Sequence, residues 1–493
     1  MKRNSENALM IGLFVISLFL ITLTITFMPS IYINSNSRDN DNNIQIIDKN
    51  PNIRNEDELK SSDCWNIDYG IFINDSSTDW NWFKFNETHG YCNGAGTWTN
   101  PYIIENVSIN AKGLIFGINI VDSNISFEIR NCTVFNSNLY GIQLVNVNNS
   151  RIIKNNCSNN GFDGIYIESS NNNTICENLL KKNENNGISI CSLGSLSQKK
   201  NCMFNNISGN TIYKNDGIGI GLTIYADDYA EINVNNNTIS ENLIYNNSGG
   251  GIILGAWEMS VTASSNVFNN TISGNNISNN KIYGIYLYHS FSNRILRNNV
   301  SENTWDGIFL TGSDNNIISG NLLNNNTEHG IFMMENSNSN IIRGNNLTNS
   351  EDGIALWSSS NNEFSENNIS FNSEFGIFLY YSNNNNITYN IIKNNTQGIY
   401  LHYSNYNNVS DNTLKGNEVC ILDINCIGNI YERNTCSPIF IRTGGGGNGG
   451  DDDDDDDDLS IPGFDSFSTV LILFSFVSIL LLIRIRSINN QRN

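Results

Sequence analysis

The apolar residues of this chain come in short groups separated by Asn, Ser, Gly and Asp, and one group returns at nearly constant spacing. Its most regular form is Gly-Ile-aromatic-Leu, as in "DGIFLTGSDNNIISGN", Asp306 to Asn321. A middle Ile or Val and a final Ile or Leu follow within each unit. The units align on Gly117, Gly141, Gly164, Gly187, Gly219, Gly251, Gly284, Gly307, Gly330, Gly353, Gly376 and Gly398, with Cys420 at the next step.

Most units are 22 to 24 residues long, and each apolar group is too short to bury itself alone. Three short strands per unit, separated by turn-forming residues, must therefore stack on the units before and after. No apolar run keeps a 3.6-residue period for ten residues, which disfavours a helical repeat. The predicted fold class is all-β: a right-handed parallel β-helix of about 13 coils, flanked by hydrophobic helices at both ends.

The alternation of side chains along a strand predicts which residues face the bore. Ile308 and Leu310 should point inward and Phe309 outward. Asn recurs at a matching turn of successive units, where stacked amides can hydrogen-bond along the solenoid axis. This predicts a ladder formed by Asn298, Asn321, Asn345, Asn367, Asn390 and Asn412.

Both ends of the chain carry apolar segments that predict membrane attachment. A basic start and about twenty apolar residues indicate a signal peptide or signal anchor. A second apolar run precedes "RIR", and because positive residues stay cytoplasmic, the repeats should lie outside the cell, at the cell membrane. The predicted organisation is 1–33 signal peptide or signal anchor, 34–63 polar linker, 64–110 N-terminal cap, 111–441 β-helix, 442–460 Gly/Asp-rich spacer, 461–486 transmembrane or sorting helix, and 487–493 cytoplasmic tail.

Composition narrows the range of partners. The formal net charge is -21, which repels phosphate backbones and argues against nucleic acid. No cofactor is predicted, although the aspartates 451–458 leave calcium open beside their simpler role as a solvated stalk.

Ten cysteines suit an oxidising compartment. The pairs nearest in sequence are Cys64 with Cys92 and Cys191 with Cys202, whereas Cys132 and Cys157 also fit stacked core thiols. Glycosylation is predicted at Asn-x-Ser/Thr sites such as Asn276, Asn299, Asn346 and Asn368.

The coils, together with "GYCNGAGTWTNPYIIENVSI" (residues 90–109), resemble the NosD-like right-handed β-helix proteins, within a wider group of carbohydrate-binding and sugar-hydrolysing β-helix domains. The resemblance covers about Cys64 to Cys436 and implies the fold more specifically than an activity. "IPGF" before the last apolar run resembles the archaeal PGF-CTERM surface-sorting signals, which implies a tether outside the cell. Copper handling, suggested by the family name, finds no support in the four scattered histidines, and no metal site is predicted.

Three consecutive intervals, from Gly187 to Gly284, are 32, 32 and 33 residues long. The extra residues enter just after the first strand, so stacked coils place three loops on one face, where solenoids often bind. Glycoside hydrolysis needs two carboxyl groups that span one bond. The patterns of polygalacturonases and alginate epimerases are missing, and a solvated acidic loop is the alternative. The catalytic candidates in this region are Asp227, Asp228, Glu231 and Glu258.

A row of aromatic residues should stand outward on the first strands, about 4.8 Å apart along the axis. Such a row on a wet surface is costly unless it is covered, and sugar rings stack well on aromatic faces. The alternative is that the rings pack on each other, on a flanking loop or on a second copy of the chain. The predicted ligand-binding residues are Tyr286, Tyr288, Phe309, Phe332, Trp357, Phe378, Tyr380 and Tyr400, with Trp257 in a long loop.

These patterns predict a membrane-anchored extracellular protein that binds polysaccharide or a cell-envelope glycan through the aromatic row and the three long loops, without turnover. The first alternative is a polysaccharide hydrolase, lyase or epimerase that uses the long-loop carboxylates. The second is a structural surface or adhesin protein.

Overall fold

The computed structural model describes residues 65–194, 201–226, 232–258, 266–437 and 441–444. These residues form a parallel β-solenoid of about 14 turns with one short helix, which confirms the predicted all-β fold class. The predicted hydrophobic segments 1–33 and 461–486 lie outside the described residues. So do the linker 34–63, most of the spacer and the tail. Among the described residues, no helix has the length and apolar character needed to cross a bilayer.

The strands of the described residues form three sheets of 15 strands and one sheet of four. Sheet I contains the strands that follow the repeat glycine, sheet II the middle strands and sheet III the last strand of each coil. Sheet I consists of Ile71–Asn74, Phe116–Ser123, Tyr140–Val147, Ile165–Glu168, Ile188–Gly194, Ile220–Ala226, Ile252–Glu258, Ile285–Tyr288, Ile308–Thr311, His329–Met334, Asp352–Trp357, Phe375–Tyr380, Gln397–His402, Val419–Ile424 and Ile441–Gly444.

Sheet II consists of Cys92–Asn93, Tyr102–Glu105, Phe127–Arg130, Ser150–Ile153, Thr174–Cys176, Asn206–Ser208, Thr238–Ser240, Thr271–Ser273, Arg294–Leu296, Ile317–Ser319, Ile341–Arg343, Glu363–Ser365, Asn386–Thr388, Asn408–Ser410 and Ile430–Glu432. Sheet III consists of Trp65–Ile67, Val107–Asn110, Thr133–Phe135, Asn156–Ser158, Leu179–Lys181, Thr211–Tyr213, Leu243–Tyr245, Asn276–Ser278, Asn299–Ser301, Leu322–Asn324, Asn346–Thr348, Asn368–Ser370, Ile391–Lys393, Thr413–Lys415 and Thr435–Ser437. The small sheet lies where the long loops return and consists of Cys202–Met203, Asn233–Asn235, Asn266–Phe268 and Ser290–Phe291.

The register of sheet I is the one that the aligned glycines predict. Phe309 pairs with Tyr286 on one side and Phe332 on the other, so residues one unit apart stand above each other. Ile308 and Leu310 belong to the main core in the bore, whereas Phe309 belongs to a separate cluster outside it. The predicted inward and outward assignment is therefore confirmed.

The repeat glycine is required by the close approach of neighbouring coils. A Cβ added to Gly307 would lie 2.7 Å from the carbonyl oxygen of Gly330 and 2.7 Å from Leu323 in the bore. Such distances are too short for any other residue without a backbone shift. Cys420 takes this position in one of the last coils, where its sulfur forms a disulfide with Cys436.

The predicted asparagine ladder is present and longer than expected. It runs from Asn155 to Asn434 between sheets II and III, with amide-to-amide hydrogen bonds of about 3 Å at each step. A second ladder precedes sheet II, from Asn173 to Asn429, and a third follows sheet III. Buried amides thus line the turns between the three sheets in most of the described coils, while Cys132, Ser137 and Ser350 take ladder positions in others.

The helix Trp82–Thr88 lies at the N-terminal end of the solenoid. Asn81 caps it, because its side chain accepts a hydrogen bond from the backbone of Lys84. Trp82 is fully buried in the main core and stacks on Tyr102 with 5.4 Å between ring centroids. The other rings expected in the cap, Trp80, Phe83 and Trp98, are exposed.

The expected disulfide between Cys191 and Cys202 is wrong, since both are free thiols. The Cys202 thiol instead donates a hydrogen bond to the carbonyl oxygen of Cys191 at 2.8 Å, which explains how the two residues can be neighbours without a bond. Cys92 is also a free thiol, and Cys64 lies outside the described residues.

Candidate functional site

The N-terminal part of the predicted aromatic row is buried, so the expectation that it faces solvent is wrong there. Tyr286, Phe309 and Phe332 are 3%, 0% and 2% exposed. Their rings stack on each other with centroid distances of 4.9 and 5.3 Å. These three rings form an outer apolar spine along sheet I, and a glycan cannot reach them directly.

The cover comes from the turns that enter sheet I. Tyr283 lies 4.9 Å from the ring of Phe309 and 5.3 Å from that of Trp305. In the next coil, His329 stacks on Phe332 at 4.7 Å. The residues just before the repeat glycine thus fold over the row, as the packing alternative allowed.

The rest of the predicted row varies in exposure. Tyr400 is buried, whereas Tyr288, Trp357, Phe378 and Tyr380 are half-buried. Whether these rings bind a glycan remains a prediction.

An accessible group of rings exists where the last coils leave sheet I. We call it the aromatic corner, and it consists of Trp357, Tyr380, Tyr381, His402 and Tyr403. Tyr381 and Tyr403 are 48% and 39% exposed and stack almost parallel, with 5.0 Å between centroids and 7° between planes. Trp357 meets Tyr380 edge to face at 4.8 Å. Parts of the Tyr381 and Tyr403 rings are therefore exposed to solvent on consecutive coils.

Two of these rings are held at an unusual backbone conformation. Tyr381 and Tyr403 have φ values of 48° and 49°, in the left-handed region that Gly and Asn favour. Ser358 occupies the same point of the coil with φ 50°, so the turn itself imposes the conformation. Positive φ values recur at turns throughout the described solenoid and also occur at Phe371, Tyr389 and Tyr406, so the conformation belongs to the coil geometry rather than to this corner alone.

The long-loop candidates are only partly within the described residues. Asp227, Asp228 and Glu231 lie outside them. Trp257 and Glu258 lie at the end of the strand Ile252–Glu258, in register with Tyr225 and Ala226. The carboxylate pair needed for hydrolysis therefore remains a prediction.

A second cluster, which the sequence reasoning missed, lies where three coils enter sheet I. We call it the acidic corner, and it consists of Asp306, Glu328, His329, Glu351 and Asp352. The His329 ring nitrogen Nδ1 lies 2.6 Å from Asp306 Oδ1, and Nε2 lies 3.4 Å from Asp352 Oδ2. The imidazole is therefore held between carboxylates of the coils before and after it.

Burial and charge perturb the titration of this corner. Burial alone lowers the pKa of His329, but Asp306, Asp352 and Glu328 outweigh it and raise the pKa to about 9. Burial raises the pKa of Asp352 to about 7, against the opposing charge of His329. Burial and the charge of Asp306 raise the pKa of Glu328 to about 7. The corner combines an imidazolium with carboxyl groups poised near neutral pH.

A depression of about 660 Å³ meets the acidic corner at Glu351, and most of its other lining side chains are polar. The exposed ring of Phe371 is one wall. Solutes can therefore approach Glu351 from the turn between sheets III and I, whereas Asp306 and Asp352 are buried.

Comparison with known proteins identifies the architecture. The family described as the right handed beta helix region matches residues 52–209, 116–299, 260–347 and 283–437. The chain belongs to this β-helix family. No relative of this β-helix matches among curated proteins.

Several solved structures are similar to this β-helix. The A-module of the mannuronan C-5 epimerase AlgE4 from Azotobacter vinelandii is 13% identical with a TM-score of 0.43, over 64% of this chain and 87% of that one. A double mutant of the periplasmic alginate epimerase AlgG is 15% identical with a TM-score of 0.43, over 75% and 85%. The receptor binding domain of the siphovirus 9NA tailspike is 10% identical with a TM-score of 0.45, over 70% and 75%.

Both corners of this β-helix had a signal in the sequence. Asp306, His329 and Asp352 each stand immediately before a repeat glycine, so the alignment on Gly already superimposes them. Tyr381 and Tyr403 each follow the last residue of a sheet I strand. The four histidines lie at different positions of the repeat when they are compared with one another. His329 nevertheless shares its position with the acidic residues one coil before and after it.

Proposed function

We propose that this chain is a surface-attached β-helix protein that binds an extended polysaccharide at the aromatic corner, without turnover. The observation that carries the proposal is the exposed parallel stack of Tyr381 and Tyr403. Both rings stay accessible, whereas four aromatic residues of the predicted row are buried. An exposed aromatic cluster of this kind is typical of a binding site.

The spacing of the rings suits a linear ligand. The rings recur at one coil step, about 5 Å, along the solenoid axis. Because Tyr381 and Tyr403 stack on each other, an extended glycan that runs along the axis would contact the exposed edges of successive rings. The half-buried rings of Trp357 and Tyr380 would form the inner wall of that site.

Electrostatics favour a neutral or amino-bearing polysaccharide over a polyuronate. The net charge of the chain is -21, and the glutamates 328 and 351 stand at the opposite end of the same sheet I strands. A polyanionic chain would meet a repulsive field over the whole face.

Attachment to the cell surface rests on the terminal sequences. The apolar segments 1–33 and 461–486 support a NosD-like ectodomain tethered outside the cell, and "IPGF" supports a sorting signal of the PGF-CTERM type. Detection of the intact protein on unpermeabilised cells, with loss of the signal after deletion of residues 461–486, tests this part.

The binding proposal is tested with the full-length protein on an array of neutral, amino and uronate polysaccharides. The double variant Y381A/Y403A should lose at least tenfold in affinity. The stacking of a nucleic-acid base on one aromatic side chain contributes about 1–3 kcal/mol, and we expect the contact of a sugar with each tyrosine to be of similar size. Y389A is the matched control, since Tyr389 is 63% exposed with φ 57° at a different corner.

Equal binding by the wild type and the double variant would discard the aromatic corner. New reducing ends or unsaturated sugars in the same incubations would favour the hydrolase or lyase alternative, which remains a prediction.

A further inference from the structure

Three potential metal ligands converge at the acidic corner. Asp306, Glu328 and His329 each offer one ligand atom, and these atoms all lie within 4.8 Å of one another. Ligands of one ion at about 2.0–2.2 Å are roughly 3–4 Å apart, so small side-chain rotations would bring all three onto one centre.

Two carboxylate oxygens in this cluster have no partner. Asp306 is completely buried; its Oδ1 accepts hydrogen bonds from the backbone and ring of His329, and its Oδ2 accepts none. Glu328 Oε2 is likewise buried without a hydrogen bond. A buried carboxylate oxygen without a donor or cation is costly. The arrangement therefore provides two unused acceptors where a positive charge would be stabilised.

No basic side chain of the described residues compensates these acids. Lys and Arg form ion pairs elsewhere in the solenoid, but the only cation paired with Asp306 or Asp352 in the described part is His329. Glu328 and Glu351 add two further carboxyl groups. Four acids thus lie near one histidine, and one of them, Glu351, also lines a depression that is open to solvent.

We infer that Asp306, Glu328 and His329 bind a divalent transition-metal ion of the zinc class. An imidazole nitrogen with two carboxylates suits Zn²⁺ and its neighbours in the first transition row. Ca²⁺ and Mg²⁺ prefer oxygen ligands throughout and more of them. The site would join two successive coils, because Asp306 belongs to one coil and the other two ligands to the next.

The surroundings of His329 already have the form that a metal-binding histidine needs. Such histidines donate the second ring N–H to a carboxylate, which fixes the ring. Asp306 lies at Nδ1 of His329 and Asp352 at Nε2, so if Nδ1 binds the ion beside Asp306, Nε2 keeps Asp352 as its carboxylate partner. Phe332 stacks on the ring and limits its rotation.

The test is Zn²⁺ uptake by the full-length, chelator-treated protein, measured by equilibrium dialysis and metal analysis. H329Q and D306N should each lose one bound Zn²⁺ relative to the wild type and weaken binding about tenfold or more. H289Q is the matched control, because it makes the same change at an exposed histidine that belongs to neither corner. It should bind as the wild type does, and this control also cancels weak binding by the aspartate run.

A second readout separates folding from binding. Zn²⁺ should raise the melting temperature of the wild type and H289Q but not that of H329Q or of E328Q. The E328Q change is the mildest, because the Glu328 side chain is only half-buried. The inference fails if H329Q, D306N and E328Q retain the wild-type stoichiometry and thermal shift. It also fails if Ca²⁺ binds at the same site as tightly as Zn²⁺.

Discussion

The side chain before the repeat glycine accepts a hydrogen bond from the backbone of the next coil. Asp163 accepts from the N–H of Asn186 at 2.9 Å, and Asn186 accepts from that of Ile218 at 2.7 Å. Asp352 does the same for Phe375. A carboxylate and an amide thus perform the same structural task here, but only the carboxylate must be desolvated as a charge.

Asp163 should make the stability of the protein fall as pH rises. Burial raises its pKa from the usual 3.8 to about 7, so between these values the folded state holds a proton that the unfolded state has lost. Tyr140 and Cys191, the titratable neighbours, have pKa values raised far above this window. The contribution of Asp163 to the free energy of unfolding should therefore decrease from about pH 4 to about pH 7 and then level off.

D163N should remove this part of the pH dependence and stabilise the protein by about 2–4 kcal/mol at pH 8. The amide oxygen can keep the hydrogen bonds from Asn185 and Asn186, as Asn186 does one coil later. Urea unfolding at pH 5 and pH 8 measures the difference. D216N, at an exposed position, changes the charge equally and should leave the profile unaltered; a parallel response of both variants would refute the prediction.

At the scale of the element, the asparagine ladders connect each coil to the next by hydrogen bonds, in addition to the hydrogen bonds between the strands. The Asn298 side chain accepts hydrogen bonds from the backbone and side chain of Asn275. It donates to Asn321 Oδ1 and to the carbonyl oxygen of Ile272. Each amide is fully used in a buried environment, where an unsatisfied group is expensive.

N298A should lower the free energy of unfolding by about 3 kcal/mol or more, because it leaves several buried groups without partners at about 1–3 kcal/mol each. N299A is the adjacent control: Asn299 is exposed, and its loss should cost less than about 0.5 kcal/mol. Denaturant unfolding of both variants gives the comparison. Similar midpoints for the two would show that the ladder contributes little.

The register and one ladder were predictable because the same residue types return at matching positions in every unit. The burial of Phe309 was not, because the residues that cover it, Tyr283 and Trp305, have aromatic counterparts in only some coils, such as Tyr140 and Phe162. The acidic corner was missed for a related reason. Asp306 and His329 differ in type and become a pair only when one coil is laid on the next.

At the scale of the whole described solenoid, the two ends are closed by different means. The helix Trp82–Thr88 inserts Trp82 into the core at the N-terminal end. Near the C-terminal end, Cys420 and Cys436 join the strands Val419–Ile424 and Thr435–Ser437 across 16 residues. Terminal coils have a neighbour on one side only and need such protection.

Reduction of the Cys420–Cys436 bond should loosen the last coils selectively. A loop of this length contributes about 3 kcal/mol when closed, and in a solenoid that loss stays near the site. Limited proteolysis followed by mass spectrometry should reveal new cuts within residues 419–437 of C420S/C436S, with earlier coils intact. C426S removes a free thiol of the same region, and the protease should cleave this variant at the same sites as the wild type. Cleavage spread over the whole solenoid would contradict the prediction.

The ladders also bear on how the chain can be made. Each amide rung joins residues 22 to 33 positions apart, so nothing in the stack waits for a distant part of the polypeptide. A coil can form as soon as the next two or three dozen residues have been synthesised, with the preceding coil as its template. The solenoid can therefore fold during its own synthesis or export, starting from the N-terminal end that Trp82 closes.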